Sequence, residues 1–313
     1  MLCSTIIPTV NRATLARSVQ SALQQDLGPA LHEILVFNNS QGELTDSDWM
    51  RSPQVKIINT HSNVNHASNA GAAMATGEYL HFLHDDDYLL PGALPALVRA
   101  AESSRCFWVT GAYNLIDDDG NFMSTVRPVI RGNVFALLVA GECLHLGASV
   151  INRAAFLQVG GFELQIFNIA DLDLECQLAL LSDFASIDQI VATIRLAGGK
   201  GTTHNWTSRT KPDFRAMREK ALNAPHALPR MINSVQGDLF LRGRACRTYL
   251  FSAALNLLDR RLMLASRRLF ALPRLASYYF IRPTFWRGLF FKSYWHNIQK
   301  HEQTQYFNTR LST

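Results

Sequence analysis

Three consecutive aspartates, Asp85, Asp86 and Asp87, follow a short apolar and aromatic run at 79–83. A run of this length bounded by polar residues is typical of a buried strand. Adjacent carboxylates repel one another, so a chain tolerates them where water or a cation screens their charge. Mg²⁺ and Mn²⁺ prefer carboxylate oxygens, and open α/β sheets bind ligands beyond the carboxyl ends of their strands. The stretch therefore predicts either a metal site at a strand end or a solvated acidic turn.

A second run of aspartates, at 117–119, provides an internal comparison. Gly120 and Asn121 follow it at once, and these residues are typical of tight turns between strands. We therefore predict a turn there. After the first run, by contrast, Pro91 is predicted to occupy the first position of a helix, where proline is favoured.

The first hundred residues alternate strand and helix signals. Residues 4–8 predict a strand ended by Pro8, with Asn11 placed to cap the helix that follows. Two further strands are predicted at 33–37 and 55–59. A helix of small residues follows them and ends at about residue 75. Gly77 is predicted to close that helix. This order predicts a mostly parallel sheet with helices on both faces.

The next hundred residues continue the pattern with shorter elements. We predict in order a strand, a helix, a strand and two further helices, at 107–116, 134–138, 145–151, 154–159 and 171–181. Gly160 and Gly161 separate the last two. The final helix begins with Asp171 and Asp173, and acidic residues stabilise the first turn of a helix through its dipole. These carboxylates are therefore either dipole-complementing charges or candidates for chemistry.

Composition is that of an ordinary globular protein, with 48% of the 313 residues hydrophobic and 18% charged. No stretch reaches the roughly 20 apolar residues that span a bilayer, and the chain begins with a strand signal rather than a charged leader. We therefore expect a cytoplasmic location. The five cysteines are scattered without a Cys-x-x-Cys pair, which predicts free thiols rather than disulfides or zinc ligands.

From about residue 211 the pattern changes to helices rich in basic residues. Residues 241–300 carry twelve Lys or Arg against Asp259 alone, a balance of +11, so the rest of the chain is near −6 at a net charge of +5. Large aromatics mix with cations at 285–295, a composition that suits the headgroup layer of an anionic membrane. Two interpretations stay open, namely peripheral contact with the inner face of a membrane and a helical hairpin packed on the preceding domain. No nucleic-acid motif is visible, so no such partner is expected.

Several short motifs stand in order along residues 2–205. They are Ile-Ile-Pro-Thr-Val-Asn-Arg at 6–12, Glu-Ile-Leu-Val-Phe-Asn-Asn-Ser at 33–40, Asn-Ala-Gly at 69–71, Gly-Glu-Tyr at 77–79, the first aspartate run with Pro91, Gly-Gly-Phe at 160–162 and Asp-Leu-Asp-Leu at 171–174. As a set they resemble the family 2 glycosyltransferases of the GT-A fold. The resemblance implies a GT-A α/β domain at 1–210, with a donor half at 1–100 and an acceptor half at 101–210, followed by a basic helical region at 211–313.

The resemblance also implies an enzyme of hexosyl- or N-acetylhexosaminyl-transferase type. Such an enzyme moves a sugar from a nucleotide diphosphate to a hydroxyl of a glycan, lipid-linked or polysaccharide acceptor, with inversion at the anomeric carbon. A UDP-sugar is the expected donor, with dTDP- and GDP-sugars as alternatives. A divalent metal, Mn²⁺ or Mg²⁺, is implied at Asp86 and Asp87, with Asp86 as the direct ligand. Asp85 is implied at the ribose or the metal's waters, and Asp87 is the alternative there. Asp171 matches the family's general base, and Asp173 is the alternative within the same motif.

The donor site implied by the resemblance consists of Pro8, Thr9, Arg12, Asn38, Asn69 and Asp85. Three positions depart from the family pattern: Asn38 stands for an aspartate, Ser68 for an arginine and Ala170 for an acidic residue. His204 follows the glycine-rich segment 198–201 and either completes the metal shell or is an ordinary loop residue. Lys200 of that segment is a candidate contact to the diphosphate.

Two other functions have sequence requirements that can be compared with this chain. Nucleotidyl transfer would require a glycine-rich, basic loop after the first strand, which residues 8–11 do not supply. The three departures also allow a catalytically weakened relative that binds nucleotide or a partner protein. Because the first aspartate run is intact, altered specificity is favoured over inactivity.

Overall fold

The computed structural model describes residues 2–28, 31–40, 42–196, 210–290 and 299–302. Their first half alternates strands and helices around one sheet. The elements are β1 (Cys3–Thr9), α1 (Leu15–Leu23), β2 (His32–Asn38), β3 (Val55–Asn59), α2 (Val64–Met74), β4 (Tyr79–Phe82), β5 (Tyr88–Leu89) and α3 (Ala93–Ser104). Strands β4, β1, β2 and β3 lie side by side in that order, all parallel. Their carboxyl ends therefore meet at one edge of the sheet.

The second half completes the sheet with mixed strand directions. Its elements are β6 (Trp108–Ile116), β7 (Phe122–Pro128), β8 (Arg131–Gly132), α4 (Phe135–Val139), β9 (Ser149–Asn152), α5 (Arg153–Gln158), α6 (Ala170–Leu181) and β10 (Phe184–Arg195). Strand β9 runs antiparallel to both β4 and β6, whereas β10 runs parallel to β6. The α/β class is thus confirmed, but the sheet is mixed rather than mostly parallel.

Successive residues of the central strands face two separate apolar layers, because side chains alternate along a strand. Ile7 and Val36 pack with the apolar face of α1 and with α3. Ile6 and Phe37 point to the opposite layer, where α2, α5 and α6 pack. Helices on both faces, as predicted, therefore cover the sheet.

Four local predictions need correction. Pro8 lies inside β1 rather than at its end, since beyond Ile6 the strand pairs with β2 alone and a missing N–H costs less beside one neighbour. Asn11 does not cap α1: its φ is 65°, and its side chain binds the 43–45 loop. Pro91 precedes α3, which begins at Ala93. Gly77 follows α2 by three residues, and a Cβ there would lie 2.6 Å from the Ser4 nitrogen, so it permits close packing on β1.

A buried carboxylate fixes the end of α2 to the sheet. Glu33 accepts hydrogen bonds from Ser4 Oγ at 2.8 Å, from the Thr76 nitrogen at 2.7 Å and from Lys56 Nζ at 3.0 Å. Burial opposes its ionisation, yet the hydrogen bonds from Thr76, Ser4 and Lys56 lower the pKa of Glu33 to about 2. The loop between α2 and β4 is therefore held in one place directly before the aspartate run.

Helices follow from residue 210, with one further strand. They are α7 (Thr210–Asn223), α8 (Ala227–Ser234), α9 (Leu239–Leu258), α10 (Leu262–Ala276) and α11 (Pro283–Phe290), and β11 (Gln299–Glu302) pairs antiparallel with β7. Phe214 and Met217 belong to the same apolar cluster as Ile6, and Phe285 of α11 is buried in it. The helices thus pack on the sheet domain, while a division at 210 stays a prediction. Within the described part of the chain, every helix is too short or too polar to cross a lipid bilayer.

Candidate active site

The three aspartates after β4 differ in burial and in contacts, although Asp85 and Asp86 share Arg12 as a partner. Asp85 is buried and accepts hydrogen bonds from Thr9 Oγ1 at 2.7 Å, from the Val10 nitrogen at 3.3 Å and from Arg12 Nη1 at 2.7 Å. Both of its carboxylate oxygens are therefore used within the protein. Asp85 and Thr9, whose contact with the donor stays a prediction, tie the β1–α1 loop to the end of β4.

Asp86 and Asp87 form a cluster with His84. One potential ligand atom from each of these residues lies within 4.8 Å of the others. Asp87 Oδ1 accepts a hydrogen bond from the Arg195 nitrogen at 2.8 Å, whereas its buried Oδ2 has no hydrogen-bond partner among the described residues. A buried oxygen without a donor, beside a second carboxylate and an imidazole, fits a divalent cation. We call these three residues the acidic cluster.

Electrostatics support that fit. Burial raises the pKa of Asp87 to about 7, the neighbouring His84 opposes the rise, and Asp86 adds to it. A carboxyl in such surroundings is costly to ionise unless a positive charge compensates it. A cation bound at the cluster would keep Asp87 ionised.

Arg12 stands at the mouth of the acidic cluster. Its Nη1 lies 2.7 Å from Asp85 Oδ1 and 3.0 Å from Asp86 Oδ2. The side chain is nevertheless 52% exposed, so the guanidinium keeps free donors toward solvent. A planar cation of this kind suits a phosphate, and Arg12 is the predicted donor residue that the structure brings to the cluster.

Asp171 lies in the first turn of α6 and is half-buried. Its Oδ1 accepts a hydrogen bond from the Leu172 nitrogen at 2.9 Å. Burial raises its pKa, while that hydrogen bond and the nearby charge of His84 lower it. His84 thus acts electrostatically on both Asp87 and Asp171, and Asp171 is not a member of the acidic cluster.

Asp173, the alternative base, is committed elsewhere. It is fully buried and forms an ion pair with Lys220 of α7 at 2.7 Å, and Lys220 also reaches Glu163 at 3.2 Å. The side chain therefore faces the α6–α7 contact rather than the acidic cluster. Its function in the structure is to hold α7 against the sheet domain.

Three residues predicted to bind the donor are buried or hydrogen-bonded within the protein. Pro8 is buried within β1. The buried amide of Asn38 bonds to Gly42 O at 2.8 Å, to Asn59 Oδ1 at 3.0 Å and to the Ser40 nitrogen at 3.0 Å, so it shapes the loop after β2. Asn69 contacts the glycine turn before α6 rather than the strand ends. Ser68, the position of a missing arginine, is buried in α2.

Asn69 makes a two-bond contact with the backbone of Phe162. Its Nδ2 donates to the Phe162 carbonyl at 2.8 Å and its Oδ1 accepts from the Phe162 nitrogen at 2.9 Å. Gly161 is required beside it, because a Cβ there would lie 2.5 Å from Asn69 Oδ1. Donor binding by Asn69 stays a prediction, and the contacts seen here give the residue a structural role.

We expect Asn69→Ala to lower the free energy of unfolding by about 1 to 3 kcal/mol, because two backbone groups lose their partner. Nucleotide affinity should stay unchanged. Urea unfolding and nucleotide titration measure the two quantities. Asn233→Ala, exposed on α8, is the control and should change stability by less than about 0.5 kcal/mol. A large loss of nucleotide affinity in a stably folded Asn69→Ala variant would contradict this assignment.

Two residues of the site were not predicted. His84 directly precedes the aspartate run, and its membership of the cluster follows from a tight turn in which the Asp87 nitrogen donates to the His84 carbonyl. Arg195, the last residue of β10, holds Asp87 through its backbone and donates from Nη1 to the Asp117 carbonyl at 3.0 Å. The predicted turn at 117–119 is confirmed, and it positions Arg195. His204 and Lys200 lie outside the described residues.

Comparison with known proteins gives a consistent picture. A family model described as "Glycosyl transferase family 2" matches residues 4–156. An uncharacterized protein of Mycobacterium tuberculosis is 26% identical over 228 residues, which cover 66% of this chain and 71% of that protein. The GalNAc(5)-diNAcBac-PP-undecaprenol beta-1,3-glucosyltransferase of Campylobacter jejuni is 32% identical over 126 residues, 38% of this chain and 40% of that enzyme. The chain spans only about a third of the rickettsial glycosyltransferases it matches, at 33%, 34% and 30% of their lengths.

Solved structures show the same architecture. The structure of S. aureus TarS residues 1-349 in complex with UDP-GlcNAc superposes with a TM-score of 0.59. The match covers 90% of this chain and 92% of that one at 14% identity. At this identity the likeness establishes the arrangement of the sheet and helices, and leaves the ligands of this chain to its own residues.

Proposed function

Because the chain is a family 2 glycosyltransferase with a GT-A fold, we propose that it is a metal-dependent inverting enzyme that uses a nucleotide-diphosphate sugar. One observation carries the metal dependence: the buried Asp87 Oδ2, in the acidic cluster at the carboxyl end of β4, has no hydrogen-bond partner among the described residues. Asp86, Asp87 and His84 would hold the metal. When bound, it would supply a Lewis acid to the departing diphosphate.

We expect the donor to lie across the carboxyl ends of β1, β2 and β4, the usual ligand position in an open α/β sheet. Arg12 would bind the diphosphate through its exposed guanidinium. Asp85 and Thr9 would orient that arginine and its loop rather than contact the nucleotide. A UDP-sugar is the preferred donor, since a protein of the same fold is known in complex with UDP-GlcNAc.

Asp171 is the proposed general base. Its carboxylate would take the proton of the acceptor hydroxyl as the oxygen attacks the anomeric carbon, and the bond to the diphosphate breaks with its electron pair leaving on the nucleotide. Attack opposite to the leaving group inverts the anomeric carbon. The raised pKa of Asp171 would strengthen it as a base, and its position in the first turn of α6, outside the acidic cluster, supports a role separate from metal binding.

The acceptor is proposed to be a glycan, either lipid-linked or part of a polysaccharide. The relative from C. jejuni carries an undecaprenol-linked saccharide in its name, which supports a lipid-linked acceptor. The transferred group would be a hexose or an N-acetylhexosamine. The alternative is a catalytically weakened relative that only binds nucleotide. It is favoured because the Asn38 amide is hydrogen-bonded within the protein and because Ser68 is buried.

A thermal-shift panel of UDP, GDP, dTDP and CDP, each with and without Mn²⁺, tests the donor and metal together. A ligand at a hundred times its dissociation constant adds about 2.7 kcal/mol to the free energy of unfolding. We expect UDP to raise the midpoint by several degrees, and only with the metal. A shift of equal size without metal would contradict the metal dependence, and binding without hydrolysis or transfer of any UDP-sugar would support the weakened relative.

A further inference from the structure

A cavity of about 510 Å³ lies among the C-terminal helices, between α9 and the segment that leads into α11. Arg242, Tyr278, Tyr279 and Arg282 line it. The two tyrosine rings lie 4.3 Å apart, and the Arg242 guanidinium lies 4.5 Å from the centre of the Tyr279 ring. The cavity thus combines cationic and aromatic walls, and none of these residues belongs to the acidic cluster.

A hydrogen bond fixes the buried Arg242 side chain, and one of its N–H donors has no partner among the described residues. The residue is buried, and its Nη1 donates to the Leu275 carbonyl at 2.7 Å. Its buried Nε has no hydrogen-bond partner within the described ranges. Arg282 is exposed at the rim and forms no ion pair with any described residue. The guanidiniums of Arg242 and Arg282 both line the cavity, and their positive charges suit a phosphate, a group that arginine binds well.

The surface around the cavity is apolar and unusually exposed. The 3-10 helix Ser277–Ile281 forms part of its wall and presents Tyr278, Phe280 and Ile281 to solvent. Helix α10 leads into it, and Met263 and Phe270 on that helix are 77% and 79% exposed. Arg267 and Arg274 alternate with them at helical spacing, so large apolar groups and cations share one face. We call Met263, Arg267, Phe270, Arg274 and 277–282 the basic aromatic face.

The positive charge of this face indicates what kind of partner it binds. Residues 260–290 contain seven arginines and neither Asp nor Glu. Of these arginines only Arg268 is buried, where it pairs with Glu219 at 3.3 Å. A second copy docked symmetrically through the same face would bring the same positive charge against itself, which is repulsive. Exposed aromatics among cations match a bilayer interface, where rings enter the headgroup layer and arginines meet anionic lipids.

We propose that the basic aromatic face docks on an anionic lipid bilayer, with the cavity receiving the phosphate of one lipid between Arg242 and Arg282. The sequence pattern placed such contact at 285–295, where Phe285 is buried against α9, Trp286 and Phe290 are exposed, and residues 291–295 lie outside the described ranges. The proposed docking surface extends this contact to earlier residues, on α10 and at 277–282. It is independent of sugar transfer, and failure of one leaves the other standing.

Vesicle co-sedimentation of the full chain tests the docking. The vesicles are phosphatidylcholine alone or with about one third phosphatidylglycerol, at low and high salt. We expect binding to the anionic vesicles only, weakened by salt. Arg274→Gln with Arg282→Gln should weaken it about 25-fold, since each cation near an anionic surface contributes roughly fivefold in affinity. Phe270→Ser with Phe280→Ser should also abolish most binding.

Matched controls carry the same chemical changes elsewhere on the surface. Arg99→Gln on α3 and Phe122→Ser on β7 alter exposed residues outside the basic aromatic face and should bind like the unchanged protein. Failure of the unchanged protein to bind anionic vesicles, equal binding to neutral ones, or undiminished binding of the face variants would each overturn the proposal. So would sedimentation-velocity data in which the phenylalanine variants dissociate a dimer. Stabilisation by inorganic phosphate without vesicle binding would assign the cavity to a soluble ligand instead.

Discussion

Replacing Asp171 by asparagine is expected to reduce sugar transfer by about 10²- to 10⁴-fold, the usual contribution of a general base. Asparagine keeps the size of the side chain and an oxygen to accept the Leu172 N–H, so the first turn of α6 should persist. It cannot take a proton. Steady-state transfer from a UDP-sugar measures the loss, and nucleotide binding by the same variant should be unchanged because Asp171 lies outside the acidic cluster.

The pH profile provides a second readout for Asp171. The base acts only when ionised, so transfer must fall as the pH drops through its pKa. Since burial raises that pKa above the ordinary value of 3.8, the acid limb should appear at a higher pH than for an exposed aspartate. The limb should be missing from the residual activity of Asp171→Asn. Transfer by this variant at the unchanged rate would remove Asp171 from the mechanism, and Asp48→Asn, at an exposed position in the 3-10 helix Asp48–Arg51, is the control.

Local patterns in the sequence were sufficient for much of the fold. The strands β2, β3 and β6 and the turn at 117–119 depend on apolar runs and on turn residues within a few positions. The pairing of the second half could not be read in this way. Whether β9 lies antiparallel to β4 or parallel to it is decided by contacts between segments some 70 residues apart, about which a strand pattern is silent.

The candidate site shows the same limit at the level of single side chains. Sequence motifs located Asp86, Asp87 and Asp171, because their residue types and neighbours are distinctive. They could not show that Asp173 forms an ion pair with Lys220, 47 residues later. Nor could they show that the amide of Asn69 hydrogen-bonds to the backbone of Phe162, 93 residues later. Folding brings several possible partners within reach of a polar residue in a motif. Which of them it contacts determines whether its side chain is available to a ligand.

Arg195 shows the converse case, because it contributes to the candidate site although no sequence motif around it indicates this. It ends a strand of ordinary composition, and its backbone N–H meets Asp87 across 108 residues. Its guanidinium is anchored by carbonyls of the 117–119 turn. The second aspartate run is therefore connected to the first through Arg195, although nothing in either run indicates it.

Replacing Asp86 by alanine is expected to abolish the metal-dependent part of nucleotide binding. The acidic cluster loses one of its two carboxylates, and a hard divalent cation then keeps too few oxygen ligands near Asp87. At the nucleotide concentration where the unchanged protein gains about 2.7 kcal/mol, the variant should show no shift of its unfolding midpoint with Mn²⁺ and UDP. Transfer should fall with it, because the diphosphate loses its counter-charge.

The same substitution should leave the ligand-free protein as stable as before, which separates a lost site from a damaged fold. Asp86 is half-buried, with 21% of its side chain exposed, and its pair with the more exposed Arg12 contributes about 1 kcal/mol. Against that loss, removing Asp86 relieves the repulsion that raises the pKa of Asp87. We therefore expect the metal-free midpoint to stay within a few degrees of the unchanged protein. Asp119→Ala in the second aspartate run is the matched control, and it should keep the full metal-dependent shift because that run forms a turn. A full shift in Asp86→Ala as well would place the metal elsewhere.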